Sequence, residues 1–179
     1  MFPLNLPNGL TISRILLVPV LVVALFSFSP GGSFVAAAIF AAGALTDGLD
    51  GYLARSRKTV TNFGKVMDPV ADKLFVAAAL IALVSLDRLA PWVAIVIIAR
   101  EFAVSALRMV AGQAGVIIPA SRLGKVKTAT QVVAVIALIA VPDPGAMWVD
   151  ALVLVAVTAT VVSGLDYLIG FRRHMAAAR

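Results

Sequence analysis

Cysteine, histidine and charge are all scarce in this chain, and each shortage excludes a class of protein. The 179 residues include no cysteine, which rules out disulfides, thiolate metal sites and a cysteine nucleophile. The only histidine is His174, near the end of the chain, which argues against a catalytic histidine or a multi-histidine zinc site. Charged residues make up 13% of the chain, against about 25% in soluble domains. With 61% hydrophobic residues and a mean hydropathy of +1.04, the composition indicates an integral membrane protein.

Apolar runs of the length needed to cross a bilayer, about 20 residues, recur along the chain. The six predicted spans cover residues 10–28, 33–55, 64–86, 91–112, 123–141 and 147–170. They predict an all-α membrane protein with six transmembrane helices in a single catalytic domain, residues 1–179. Residues 1–9 are too short to span and are predicted to form an interfacial segment, and 171–179 a cytoplasmic tail.

Basic residues concentrate on one side of the predicted helices. Arg57, Lys58, Arg122, Arg172 and Arg173 all fall in or beside the loops and tail of that side. The positive-inside rule predicts that this side faces the cytoplasm, with both termini there. The net charge of +6 is therefore interpreted as a rim that contacts anionic membrane lipids, and no nucleic-acid partner is predicted.

Four aspartates stand where the second span ends and the third begins. Asp47 and Asp50 are three residues apart, and Asp68 and Asp72 are four apart, so each pair shares one helix face. Thirteen residues separate each pair from the outer end of its span, or about 20 Å of helix. Since the two spans are antiparallel neighbours, both pairs are expected at one depth near the cytoplasmic surface.

Carboxylates gathered at one place repel each other unless cations neutralise them. Oxygen ligands without histidine or cysteine favour Mg²⁺ or Mn²⁺, so one or two such ions are predicted here. Small residues at Gly51, Ala54 and Gly64 continue the aspartate faces and leave room for a nucleotide or diphosphate. Arg55 follows directly and can bind phosphate oxygens with two parallel hydrogen bonds.

The aspartates and their neighbours follow the pattern D-x2-D-G-x2-A-R-x8-G-x3-D-x3-D from residue 47 to residue 72. This pattern resembles the signature of the CDP-alcohol phosphatidyltransferases, and the six-span layout is similar to that family's fold. The resemblance implies transfer of a phosphatidyl group from a CDP-linked lipid to an alcohol, with release of CMP. It implies that Asp47, Asp50, Asp68 and Asp72 bind the metals, two ions of Mg²⁺ or Mn²⁺, with Asp72 also acting as general base. It implies that Gly51, Ala54 and Gly64 border the CDP group and that Arg55 contacts its phosphates.

The acceptor alcohol must be inferred from other segments. The segments "PNGLTISRILLVP", "AREFAVSALR" and "SRLGKVKTATQ" resemble those of the bacterial phosphatidylglycerophosphate synthases. This resemblance implies CDP-diacylglycerol and sn-glycerol 3-phosphate as substrates and a multi-pass bacterial plasma-membrane enzyme that forms a homodimer. A basic pocket for the acceptor phosphate is expected from Arg108 and Lys125, with Arg100 and Lys127 behind them.

Two alternatives to this function remain open at the level of the sequence. A phosphatidylinositol-phosphate synthase would use the same chemistry and would also need a basic acceptor pocket. A cation-coupled transporter also keeps carboxylates within the membrane. In this chain the carboxylates lie towards one surface beside Arg55, Lys65 and Lys73, which suits phosphate better than a cation pathway. For Glu101, pairing with an arginine is a more economical interpretation than catalysis.

Overall fold

The computed structural model describes residues 6–28, 33–57, 62–116, 118 and 121–177. Within these ranges the side chains of residues 6–8, 10, 11, 28, 47–57, 62–69, 72 and 177 lie outside the description. All four predicted metal ligands and the predicted CDP-binding residues are in this second group. The backbone of these residues is helical.

Six α-helices and no strand are present in the described part of the chain. They are α1 (Leu6–Phe28), α2 (Phe34–Arg57), α3 (Asn62–Ser85), α4 (Pro91–Gln113), α5 (Arg122–Ala140) and α6 (Met147–Ala177). Each helix coincides with one predicted span, which confirms the all-α architecture.

The helices α1 and α6 are longer than the predicted spans. Residues 6–9 belong to α1 rather than to a separate segment, because Pro7 is compatible with a first helical turn and no residue before Leu10 ends the helix. Residues 171–177 continue α6, since no proline interrupts the sequence there. Their predicted positions at the membrane surface and in the cytoplasm stay predictions.

The chain divides into two compact units, which are described separately. The first unit comprises Met1–Leu89 and Ile136–Pro144, and it contains α1, α2, α3 and the end of α5. The second comprises Ala90–Val135 and Gly145–Arg179, and it contains α4, most of α5 and α6. A single domain for residues 1–179 stays a prediction.

The first unit is organised around the packing of α1 against α2 and α3. Gly43 of α2 lies where the three helices meet: a Cβ atom placed on it would be 2.6 Å from Phe75 Cε1 and 3.2 Å from Leu17 Cδ2. The Phe75 ring also stacks on Phe40, with ring centroids 5.6 Å apart. Glycine is therefore required at this position for close approach of the helices.

The end of α3 turns the chain toward the end of α5. Asp87 adopts a left-handed conformation with φ 54°, and the N–H of Arg88 donates to the carbonyl of Leu83 at 2.9 Å, as in a Schellman motif. The Arg88 side chain is buried and donates to the carbonyls of Leu138 (2.8 Å) and Val141. Burial lowers the pKa of Arg88, and the Asp143 carboxylate opposes the shift. The guanidinium stabilises the carbonyl end of α5 through its two hydrogen bonds.

In the second unit α4 packs against α6. Arg100 contacts Ser163, and further along both helices Arg108 contacts Tyr167, so α4 and α6 run in the same direction. The start of α4 has proline at its first position, and its end is closed by Gly115 with φ 73°. This parallel pair brings the polar residues of both helices together.

Among the described residues, two helical stretches are long and apolar enough to cross a membrane by length and composition, Arg122–Ala140 and Met147–Ala176. Three further apolar stretches, Ile12–Ser27, Phe34–Thr46 and Lys73–Ser85, are shorter. The six transmembrane helices therefore remain a prediction.

Candidate active site

The motif aspartates lie on two helices of the first unit. Asp47 and Asp50 are in α2, and Asp68 and Asp72 are in α3. The residues predicted to border CDP follow the same division: Gly51, Ala54 and Arg55 are in α2 and Gly64 is in α3. The side chains of these residues lie outside the described part of the structure, so their roles stay predictions.

The backbone positions of Asp47 and Asp72 both lie one helical turn away from the point where Gly43 of α2 meets Phe75 of α3. Gly43, at the meeting point of α1, α2 and α3, is four residues before Asp47, and Phe75 is three residues after Asp72. Four residues and three residues each correspond to about one helical turn. Because the four-residue connection between α2 and α3 makes them antiparallel neighbours, both backbone positions lie one turn from the Gly43–Phe75 contact in the same direction.

A fit to divalent metal ions rests on the chemistry of this donor set. Four carboxylates on two adjacent helices, with no sulfur or imidazole ligand in the motif, match the preference of Mg²⁺ and Mn²⁺ for oxygen. Outside the motif, the side chains that are described include no group of three or more carboxylate, histidine or cysteine residues that could hold a metal.

A polar cluster in the second unit centres on Glu101 of α4. Its carboxylate forms ion pairs with Lys127 of α5 and, at 3.1 Å, with the neighbouring Arg100. Arg100 also donates a hydrogen bond to Ser163 Oγ of α6 at 3.1 Å. The Lys127 side chain is 4% exposed, so this lysine is held within the bundle by its carboxylate partner. The expectation that Glu101 pairs with an arginine is confirmed.

A glycine makes room for Arg100. A Cβ atom on Gly164 would lie 3.2 Å from Arg100 Cγ, closer than most contacts of this kind. The aliphatic part of Arg100 therefore packs directly against the backbone of α6. The preceding residue, Ser163, accepts the guanidinium hydrogen bond, so the pair Ser163–Gly164 supplies both the space and the acceptor.

Three buried polar atoms of the second unit have no hydrogen-bond partner among the described residues: Arg100 Nε, Gln131 Oε1 and Tyr167 Oη. Gln131 is one helical turn after Lys127, and Tyr167 is one turn after Ser163. Unsatisfied buried donors and acceptors cost free energy, and a bound polar ligand or water can satisfy them. The unit thus offers donors and acceptors that fit a ligand with hydroxyl and anionic groups.

Two of the four residues predicted to hold an acceptor phosphate share one partner, and the common phosphate site stays a prediction. Arg100 and Lys127 meet at Glu101. Arg108 instead lies over the ring of Tyr167, 5.4 Å from its centroid. Lys125 is exposed and, two residues before Lys127, points from a different face of α5.

Sequence reasoning placed Gln131 with Lys127 in the predicted basic pocket, but it missed Ser163 and Tyr167 as members of this cluster. The sequence did contain a feature that could have identified them, because each is a polar residue within an apolar helical run. Ser163 and Tyr167 are also four residues apart, which places them on one face of α6.

Comparisons with known proteins agree with the motif. A family model described as CDP-alcohol phosphatidyltransferase matches residues 4–163. The chain is 43% identical to a CDP-diacylglycerol–glycerol-3-phosphate 3-phosphatidyltransferase of Bacillus subtilis, with 91% of this chain and 93% of the relative covered. It is 42% identical to a probable phosphatidylglycerophosphate synthase of Mycobacterium tuberculosis, with 98% and 85% covered. It is also 42% identical to a cardiolipin synthase (CMP-forming) of Oryza sativa, over 89% of this chain and 53% of the relative.

Proposed function

The chain belongs to the CDP-alcohol phosphatidyltransferase family, and we propose on that premise that it transfers the phosphatidyl group of CDP-diacylglycerol to sn-glycerol 3-phosphate. The products are phosphatidylglycerophosphate and CMP. The observation that carries the proposal is the complete aspartate motif, divided between the adjacent helices α2 and α3 of one compact unit. The relatives from Bacillus and Mycobacterium, similar over nearly the whole chain, support the same reaction.

In the proposed reaction, a hydroxyl oxygen of the acceptor attacks the phosphorus that carries the diacylglycerol. A new P–O bond forms there, and the bond from this phosphorus to the oxygen of CMP breaks. Asp72 accepts the hydroxyl proton as general base. The divalent ions held by Asp47, Asp50, Asp68 and Asp72, Mg²⁺ or Mn²⁺ and two by proposal, would supply positive charge to the phosphate oxygens.

The residues between the aspartate pairs would hold the donor. Gly51, Ala54 and Gly64 leave space for the CDP group because their side chains are small or absent. Arg55 would bind the diphosphate with charge-assisted hydrogen bonds. These assignments follow the motif position by position.

The acceptor phosphate would be bound by the basic residues of the second unit. Arg100 and Lys127 together carry one more positive charge than Glu101 neutralises, so their cluster keeps a net positive charge. Arg108 and Lys125 would add two further cations. Arg100 Nε and Tyr167 Oη would donate hydrogen bonds to oxygens of glycerol 3-phosphate, and Gln131 Oε1 would accept one from its hydroxyl groups. An acceptor without a phosphate, such as a neutral amino alcohol, would make no use of these charges.

We also propose the cellular setting of this activity. Six transmembrane helices would place the enzyme in the bacterial plasma membrane with its active site facing the cytoplasm. There the acyl chains of the donor stay among the membrane lipids while the head group meets a water-soluble acceptor. A homodimer is proposed from the family alone.

A comparison of acceptors tests the proposal. Purified protein in detergent is given CDP-diacylglycerol and Mg²⁺ with one acceptor at a time: glycerol 3-phosphate, inositol 1-phosphate, inositol, serine, phosphatidylglycerol or none. CMP and the lipid product are both measured, and each reaction is repeated with excess EDTA. We expect CMP release with glycerol 3-phosphate and its loss in EDTA.

Each other outcome identifies an alternative. A preference for inositol phosphate would leave the proposed metal site unchanged and would make the chain a phosphatidylinositol-phosphate synthase. A preference for phosphatidylglycerol would identify a second lipid, rather than a water-soluble alcohol, as the acceptor. Full activity in EDTA would contradict metal dependence, and ion movement in liposomes without CMP release would favour a cation-coupled transporter.

A further inference from the structure

A buried arginine lies on α1, in a position that the proposed reaction does not use. Arg14 is 4% exposed, although it is part of a helix made mainly of apolar residues. It shares the buried face of α1 with Leu21 and Leu25, seven and eleven residues further on. A cation on the inner face of an apolar helix is costly unless negative charge is nearby.

The helix register places Arg14 at the level of the motif aspartates. Leu17, the α1 residue beside Gly43 and Phe75, is three residues after Arg14. Three residues therefore lie about one helical turn from the contact of the three helices: Arg14 on α1, Asp47 on α2 and Asp72 on α3. The direction is the same in all three helices, because the five- and four-residue connections make α2 antiparallel to both α1 and α3.

The charges of the proposed site favour an additional cation at this level. Four carboxylates and a diphosphate would carry about six negative charges, of which two divalent ions neutralise about four. Two fixed positive charges then balance the remainder. Arg55, Lys65 and Lys73 are nearby cations of α2 and α3, and Arg14 is the cation that α1 holds buried at this level.

We propose that Arg14 is a further residue of the phosphotransfer site, a fixed positive charge beside Asp47 and Asp72 that balances the donor diphosphate. The inference rests on the proposed function, since it assumes that the aspartates bind metal. Arg14 acts through the electrostatics of the metal and diphosphate and takes no proton in the reaction. Its removal should therefore have opposite effects on the two ligands: divalent cations bind more tightly and the CDP-lipid binds more weakly.

Metal binding measures this charge independently of turnover. Mn²⁺ is titrated into the purified protein without substrate, and free Mn²⁺ is followed by its electron paramagnetic resonance signal. We expect Arg14→Met to lower the Kd for Mn²⁺ by roughly tenfold, because a repelling charge close to the ion is lost. Arg14→Lys should keep the wild-type Kd. The affinity for CDP-diacylglycerol in the presence of Mn²⁺ should fall in Arg14→Met.

A matched control separates charge from packing. Arg88→Met removes another buried arginine of the same unit. Arg88 follows the end of α3 at Ser85, which is thirteen residues and about 20 Å of helix beyond the level of Asp72. It should lower thermal stability without changing the Kd for Mn²⁺. Should Arg14→Met fail to fold, Arg14→Gln is compared with Arg14→Lys, and the neutral variant must bind Mn²⁺ more tightly.

The outcomes distinguish this inference from the proposed function. Asp68→Asn should weaken Mn²⁺ binding if the aspartates are the ligands. Weaker binding in Asp68→Asn together with an unchanged Kd in folded Arg14 variants would overturn the role of Arg14 alone. A wild-type protein that does not bind Mn²⁺ would overturn both.

Discussion

Glu101 is the only glutamate in the chain, and it lies between two cations. Sequence reasoning could predict an arginine partner for it, because Arg100 is adjacent. It could not predict the pairing with Lys127, since that contact joins residues 26 positions apart on different helices. The same limit applies to Arg14, whose burial depends on how α1 packs. At the scale of single residues, charge patterns identify candidates and packing decides their partners.

Replacement of Glu101 by glutamine should destabilise the protein. The variant leaves Arg100 and Lys127 close together without their shared counter-charge, and it should lower the free energy of unfolding by roughly 2 kcal/mol. The reduction is smaller than for a fully buried pair because the Glu101 side chain is 22% exposed. Thermal unfolding in detergent measures it, with Asp166→Asn, an exposed carboxylate of α6, as the control. Equal stability of the two variants would contradict the role of Glu101.

Asp72→Asn should lower turnover by at least about 100-fold, because amide nitrogen and oxygen cannot accept the acceptor's proton. Binding of CDP-diacylglycerol should remain detectable, since three carboxylates are left. Single-turnover kinetics and a separate binding measurement check the two expectations. Asp87→Asn, an exposed aspartate of the first unit, is the control. Unchanged turnover would remove Asp72 from the mechanism.

Arg108→Ala tests the acceptor site. Loss of one charge-assisted hydrogen bond should raise the KM for glycerol 3-phosphate roughly tenfold, with a much smaller change in the KM for CDP-diacylglycerol. Arg122→Ala, an exposed basic residue of the second unit, is the control. If both KM values rise equally in Arg108→Ala, its effect is on the fold, through the contact with Tyr167.

The helices themselves were predictable to within a few residues, because each apolar run ends at a recognisable break. The break after α3 shows why sequence gives an approximate end only. Asp87, rather than glycine, adopts the left-handed conformation that closes this helix, and Arg88 then stabilises the end of α5. Hydropathy did not indicate that α1 begins as early as Leu6 or that α6 continues to Ala177.

Gly43→Ala should destabilise the contact of α1, α2 and α3. The added methyl group would displace the Phe75 ring, which is stacked on Phe40, and should lower the free energy of unfolding by about 1–3 kcal/mol. Gly170→Ala is the matched control in α6, where a Cβ would meet nothing within 4 Å. There alanine should raise stability by up to about 1 kcal/mol. Thermal unfolding of both variants checks the difference, and equal melting temperatures would contradict close packing at Gly43.

For the whole molecule, the charges of the candidate site interrupt the hydropathy pattern. The apolar stretch of α2 ends at Thr46 and that of α3 begins at Lys73, beside the motif aspartates. Likewise α4 carries Arg100, Glu101 and Arg108 within its length. Charged residues within α2, α3 and α4 interrupt their apolar stretches, and among the described residues length and composition select α5 and α6.

The absence of cysteine allows the six-span topology to be tested directly. Single cysteines are introduced at the exposed positions Ala90, Gln113, Gly145 and His174, and intact cells are treated with a membrane-impermeant maleimide. We expect labelling at 90 and 145 from outside, and at 113 and 174 only after the membrane is opened. If only α5 and α6 cross the membrane, positions 90 and 113 will behave alike. That result would contradict six spans.

The adjacency of Arg100 and Glu101 also has a consequence for the order in which the protein is made. Synthesis proceeds from the N-terminus, so α4 is complete before Lys127 has been added to the chain. Since Arg100 and Glu101 are consecutive, their ion pair needs only α4 itself. If α4 spans the membrane as predicted, it can be inserted with these two charges already paired, before Lys127 of α5 has been synthesised. The ion pair within α4 would then lower the cost of inserting this helix.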